Sequence, residues 1–296
     1  MADPTRRIPN ALRVTTFLVF LLVVWGGVVR LSGSGLAIPD WPLDQGNVVP
    51  RSETRVLIEY GHRVLAALVT LFTVGTAVAV YRSRFYRPRL GYAMAAALVT
   101  LALQVFMGAR VVLDELPVDR VVAHLLLAFL FFAFLVHMSL VAGEISRGEP
   151  EAGRARRPGL LAWGRAATIS VYAQAGLGAW VSSSGASLAC PDFPTCHGQW
   201  IPRLEGLVGI QFAHRLGALA VFVLVGAFAH LAARARIGRS VSRWARLATV
   251  LLFLQIALGI ANVLLRVPLH VSATHLAVAL LLFGSLFAAS HEIRRA

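Results

Sequence analysis

Gly33-Ser34-Gly35-Leu36-Ala37-Ile38-Pro39-Asp40-Trp41-Pro42 returns 152 positions later (33 to 185) as Gly185-Ala186-Ser187-Leu188-Ala189-Cys190-Pro191-Asp192-Phe193-Pro194. The match runs on downstream. Gly46 and Pro50 pair with Gly198 and Pro202, and Glu59-Tyr60-Gly61-His62-Arg63 pairs with Gln211-Phe212-Ala213-His214-Arg215. At a spacing of 151 (104 to 255), Gln104, Gly108, Pro117 and His124 pair with Gln255, Gly259, Pro268 and His275. Agreement at so many positions and nearly one offset marks an internal duplication.

Long apolar blocks lie between these segments, over approximately 12–31, 58–81, 91–112, 121–143, 160–181, 206–233, 244–265 and 271–291. The chain is 57% hydrophobic and only 14% charged, too apolar for a soluble domain. A bilayer core of about 30 Å takes about 20 apolar residues per helix. The reading is therefore an all-α, polytopic membrane protein with eight transmembrane helices. Four helices per half, an even number, give both halves the same orientation, so they form two parallel-repeat four-helix bundles about an axis along the membrane normal. The first half is residues 1–148, a cytoplasmic linker entering helix 5 covers 149–165, and the second half is 166–296. The first block has the basic flank of a signal peptide, but its repeat partner, the fifth block, keeps it as a span.

The net charge of +14 is a topology signal. Every basic residue is Arg, and they cluster at one set of ends: Arg6, Arg7 and Arg13; Arg82 to Arg89; Arg147 to Arg165; Arg234 to Arg246; Arg294 and Arg295. The opposite loops hold most of the acids, among them Asp40, Asp44, Glu53, Asp114, Glu115, Asp119, Asp192 and Glu205. This positive-inside pattern puts both termini in the cytoplasm and argues against a nucleic-acid partner.

Ionisable residues inside membrane helices are costly and mark functional sites. His62, His124, His214 and His275 each lie, by this reading, about one turn or less inside a helix, at the outer end, with a repeat partner. Helices 2 and 4 run the same way, so His62 and His124 share a depth and can grip a planar macrocycle as axial ligands of a heme iron; His214 and His275 on helices 6 and 8 do the same. Zinc fits less well, because no Cys or further carboxylate completes a tetrahedral set in the second half. His137, His230 and His291 lie near inner helix ends without repeat partners and read as interfacial polar groups. His197 and His270 lie in outer loops. Gly108 and Gly259, four residues after a Gln, allow close approach of a helix or of a flat ligand.

Function is read from the positions that broke the symmetry. Glu59 stands three residues before His62, on the same helix face, where the second half has neutral Gln211. A carboxylate there suits proton relay or stabilisation of positive charge on a reacting carbon. The alternative is an ion pair with Arg63, although Arg215 persists without an acidic partner. Cys190 and Cys196, the only cysteines, share one outer loop, where a structural disulfide and a reactive dithiol are both open and a short Pro-containing loop favours the first. The first half has Ile38 and Asp44 at those places.

Together these segments resemble the heme A synthase family of cytochrome oxidase assembly, over nearly the whole chain. The likeness rests on Gly-Ser-Gly-Leu-(x)3-Asp-Trp-Pro, Glu-x-x-His-Arg, Cys-Pro-Asp-x-Pro-x-Cys, the second His-Arg and the single His in helices 4 and 8. It implies oxidation of a ring methyl of heme O to a formyl group, giving heme A. It further implies that His62 and His124 flank the substrate heme with Glu59 as catalytic carboxylate, that His214 and His275 ligate a resident heme b, and that Cys190 and Cys196 form the second-half disulfide. A multi-pass plasma (inner) membrane location, heme sites near the outer face, a heme O synthase and an electron donor as partners, and room for a homo-oligomer follow from the same likeness. Some members carry a cysteine pair in the first outer loop; Ile38 and Asp44 here exclude any mechanism that needs it. A diheme electron-transfer cytochrome and a heme transporter or chaperone are the competing readings.

Overall fold

The computed structural model describes residues 4–42, 44, 46–47, 50–151, 153, 157–235 and 238–296. Part of the linker (152 and 154–156, with Arg154 and Arg156) and Arg236 lie outside the described residues. Among the described residues there are eight long helices: α1 Pro4–Leu31, α2 Thr54–Arg82, α3 Arg87–Leu113, α4 Val118–Ser146, α5 Pro158–Ser183, α6 Gly206–Ala235, α7 Arg239–Leu264 and α8 Leu269–Arg295. No strand occurs among the described residues, only two isolated bridges, Asp44 with Asn47 and Cys196 with Gln199.

Seven of the helices are long and apolar enough to cross a membrane; α5 falls short on hydropathy. Arg165, Gln174 and the small residues of α5 lower its average. The exposed faces of the seven are apolar, Leu71, Phe106 and Phe253 among them, as a lipid-facing surface requires.

Every helix runs beyond its apolar block at one end or both, since charged and polar residues continue the helical hydrogen bonding into the interface. One expectation is corrected by this. His62 and His214 sit eight residues into α2 and α6 (54 to 62, 206 to 214), and His124 and His275 six residues into α4 and α8 (118 to 124, 269 to 275). That is about two turns deep at 3.6 residues per turn, not one or less.

The chain divides into two compact units, Met1–Leu116 with Leu127–Glu151, and Pro117–Leu126 with Ala152–Ala296. In the first, α2 packs against α1 and α3. α4 is tied in by side chains, through a Thr16–Ser139 hydroxyl contact of 3.1 Å and the Arg89–Glu144 ion pair. In the second, α5–α6, α6–α7, α7–α8 and α5–α8 pack as neighbours and close a ring of four. The first turns of α4 join this unit. The Tyr172 hydroxyl donates to the Leu126 carbonyl at 3.1 Å, and Leu126 lies over Gly176.

Loop backbone features recur between the units. Gly33 and Gly185 both take positive φ (67° and 79°), as do Gly46 and Gly198 (78° and 74°). Glu115-Leu116 and Arg266-Val267 repeat this before α4 and α8, and Trp41-Pro42 and Phe193-Pro194 are both cis.

Candidate functional site

The α1–α2 loop and the α5–α6 loop are each anchored by the arginine that follows the helix histidine. Arg63 donates to the carbonyls of Ile38 (2.9 Å), Asp40 (2.7 Å) and Pro42 (3.1 Å). Arg215 donates to those of Cys190 (2.9 Å), Asp192 (2.8 Å) and Thr195 (2.7 Å). A guanidinium presents five donors in a fixed fork, which suits the collection of loop carbonyls over a helix end. Sequence reading missed this shared duty, although the invariance of Arg63 and Arg215 across the repeat was its signal.

Glu59 is buried, 3% exposed, and both carboxylate oxygens are engaged. Oε1 accepts from Arg63 at 2.6 Å and Oε2 from the Ile38 N–H at 2.9 Å. The ion pair weighed as an alternative therefore exists. It is not needed to hold the loop, because Arg215 makes the same carbonyl contacts beside a neutral Gln211, itself only 4% exposed. A buried carboxylate costs several kcal/mol in desolvation before its partners compensate it. The first half keeps one where the second half shows that the fold does without.

His62, His214 and His275 each rest on a glycine of a neighbouring helix. A Cβ placed on Gly26 of α1 would lie 3.0 Å from His62 Cε1, one on Gly178 of α5 3.1 Å from His214 Cε1, and one on Gly259 of α7 3.2 Å from His275 Cε1. Gly26 and Gly178 are 152 apart (26 to 178) and went unremarked in the sequence, where nothing separates them from ordinary small packing residues. Gly259 was noted; it seats the His275 ring itself. Gly178→Val is expected to push His214 off its position. Purified Gly178→Val protein should lose at least half of any low-spin heme absorbance while circular dichroism shows unchanged helix content.

In the second unit, His214 and His275 each have a glutamine of a neighbouring helix beside the ring. Gln174 Nε2 lies 3.0 Å from His214 Nδ1 and donates to the His214 carbonyl at 2.8 Å, and Gln255 Nε2 lies 3.1 Å from His275 Nε2. Gln174 has Leu22 in its repeat position, so sequence comparison gave no pointer to it. Around the pair, Gln174 Oε1, Gln211 Oε1, Gln255 Oε1 and His275 Nδ1 are buried without a hydrogen-bond partner. Such groups each cost about 1–3 kcal/mol unless a ligand or water meets them. Among the described residues no cluster of three or more His, Cys, Asp and Glu could hold a bare metal ion. Paired imidazoles suit an iron that brings its own in-plane ligands, and a heme fits this donor set. His62 belongs to the first unit, and His124 to the Pro117–Leu126 segment of the second.

Cys190 and Cys196 are joined as a disulfide with Cα atoms 4.7 Å apart. Asp192, inside the bridged loop, accepts from the Thr195 hydroxyl and the His197 and Gly198 amides, and these bonds hold its carboxyl well below the usual carboxylate range. Loop-closure entropy for so short a ring gives the bridge about 2 kcal/mol. Cys190→Ser should lower the thermal midpoint accordingly and leave heme absorbance in place.

The sequence matches the cytochrome oxidase assembly protein family (COX15-CtaA) over residues 10–287. The chain belongs to this family. It is similar to the heme A synthase of Symbiobacterium thermophilum, at 36% identity over 71% of this chain and 70% of the relative. It is also similar to that of Rhizorhabdus wittichii, at 31% over 99% and 96%, and to that of Halalkalibacterium halodurans, at 29% over 92% and 92%. With its apolar spans, this member of the cytochrome oxidase assembly family is a multi-pass membrane protein.

Proposed function

We propose that this protein is a heme A synthase, an enzyme that oxidises a ring methyl of heme O to a formyl group. Family membership and the shared name of its relatives support the reaction. The observation that carries it to a particular site is Glu59: a buried carboxylate, one helical turn from His62, that the fold does not require.

His62 ligates the substrate heme O, and Glu59, one helical turn from it, is the catalytic carboxylate. There the carboxylate would be placed to stabilise positive charge on the methyl carbon and to accept a proton. His214 and His275 hold the resident heme b, with Gln174 and Gln255 fixing the ring orientations as outer partners of the ligands. Heme b, when bound, supplies one-electron transfer.

Residues 1–148 and 166–296 are two parallel repeats joined by 149–165, a reading supported by the recurrent loop conformations. α5 is the eighth span. Its 26 residues reach about 39 Å at 1.5 Å per residue, and its polar Gln174 is turned to His214 within the ring of four helices. The arginine distribution then puts both termini in the cytoplasm and the histidines toward the outer face of the plasma membrane. A heme O synthase, which supplies heme O, and an electron donor are its partners.

The test is direct. Membranes containing the protein are supplied with heme O, and the extracted hemes are weighed by mass spectrometry. Hydroxylated and formylated products are expected. Recovery of unaltered heme O from protein that shows a heme b spectrum would overturn the enzyme reading in favour of an electron carrier or a heme transporter.

A further inference from the structure

The peptide group between Ala37 and Ile38 is held at both ends. Its N–H donates to Glu59 Oε2 at 2.9 Å, and its carbonyl, on Ala37, accepts from Arg51 Nη2 at 3.1 Å. Arg51 is in turn fixed by Asp44. The Asp44 carboxylate accepts from the Arg51 backbone N–H (3.0 Å), Nε (3.2 Å) and Nη2 (3.2 Å). Asp44 is buried, 1% exposed, and Arg51 keeps its carboxyl below the usual range. A forked guanidinium–carboxylate pair fixes direction as well as charge.

The second half solves the same problem with other atoms. Asp44 corresponds to Cys196 and Ile38 to Cys190, which are bonded to each other. Ala37 corresponds to Ala189, whose carbonyl lies 2.9 Å from His197 Nε2 instead of an arginine. In the first half, then, an ion pair closes the loop where the second half uses a covalent bridge. In the first half the closed loop presents the Ile38 amide to a helix carboxylate, Glu59, where the second half has neutral Gln211.

We propose that Asp44 and Arg51 are positioning residues for Glu59, acting through the Ala37–Ile38 peptide. The pair takes the place of a disulfide: it presents the Ile38 amide to Oε2 and so fixes the direction in which the carboxylate faces. This rests on the catalytic reading of Glu59.

The test uses full-length protein carrying Arg51→Ala, Asp44→Ala, Glu59→Gln or the double change Ile38→Cys with Asp44→Cys. Two quantities are read: hydrogen exchange of the peptide spanning Ile38, and the rate of heme O conversion. Arg51→Ala and Asp44→Ala should each speed exchange at Ile38 about tenfold and slow conversion about tenfold, with the heme b spectrum unmoved. The double-cysteine protein should recover slow exchange and conversion when oxidised. It should lose both after thiol reduction and alkylation, measured against wild-type protein treated identically, which controls for the Cys190–Cys196 bridge. Wild-type exchange and conversion in Arg51→Ala, while Glu59→Gln is inactive, would overturn the positioning role alone. Wild-type conversion by Glu59→Gln would overturn the catalytic reading beneath it. Conversion by the double-cysteine protein that ignores reduction would show that closure of the loop does not act on Glu59.

Discussion

Glu59→Gln is expected to abolish heme O conversion, by about 100-fold or more, and to leave heme bound. The substitution is nearly isosteric. The amide oxygen can still accept from the Ile38 N–H or from Arg63, and Arg63 keeps the Ile38, Asp40 and Pro42 carbonyls. The second half is the control built into the chain: Gln211 stands beside Arg215, and the loop is clamped all the same. What Glu59→Gln removes is the negative charge and the basic oxygen. Loss of a positioned acid–base group costs about 10²–10⁴-fold, which sets the expected scale. Conversion by purified protein, read beside the heme spectrum of the same sample, separates loss of chemistry from loss of binding. Turnover at the wild-type rate would reject the catalytic role.

His214→Ala is expected to erase the low-spin b-type signal. The imidazole fills the space over Gly178 and lies against Gln174; alanine removes the proposed iron ligand and leaves that amide facing a void. One axial ligand cannot be supplied from nearby, because no third His, Cys, Asp or Glu joins the pair among the described residues. Conversion should fall with the signal, since electron transfer through the second half is lost. His62→Ala should do the reverse, keeping the b-type spectrum while stopping conversion. A spectrum unchanged by His214→Ala would mean that the resident heme belongs to the other half.

The eight helices were legible because apolar blocks of membrane length leave little else to build. Their ends were not. Thr54 to Leu57 and Val118 to Arg120 are helical although they precede the apolar blocks, so His62 and His124 lie about a turn deeper than those blocks implied. α5 was legible only through its repeat partner, because Arg165 and Gln174 dilute its hydropathy. The contrast of Glu59 with Gln211 was legible by comparison of the two halves. The loop network behind it was not. Asp44 and Arg51 are seven residues apart on a non-helical segment, where no periodicity relates them, and the bond that matters runs through a backbone amide that every residue possesses. Gln174 escaped for the opposite reason, being a side chain in one half with no counterpart in the other.

The most direct measurement is chromatography of hemes extracted from a host that makes heme O and lacks any heme A-forming activity, after this chain is expressed in it. A heme A peak, with a hydroxylated intermediate before it, is the predicted result, and it should vanish with Glu59→Gln. Heme O alone, in cells whose membranes contain the folded protein with its b-type spectrum, would contradict the account.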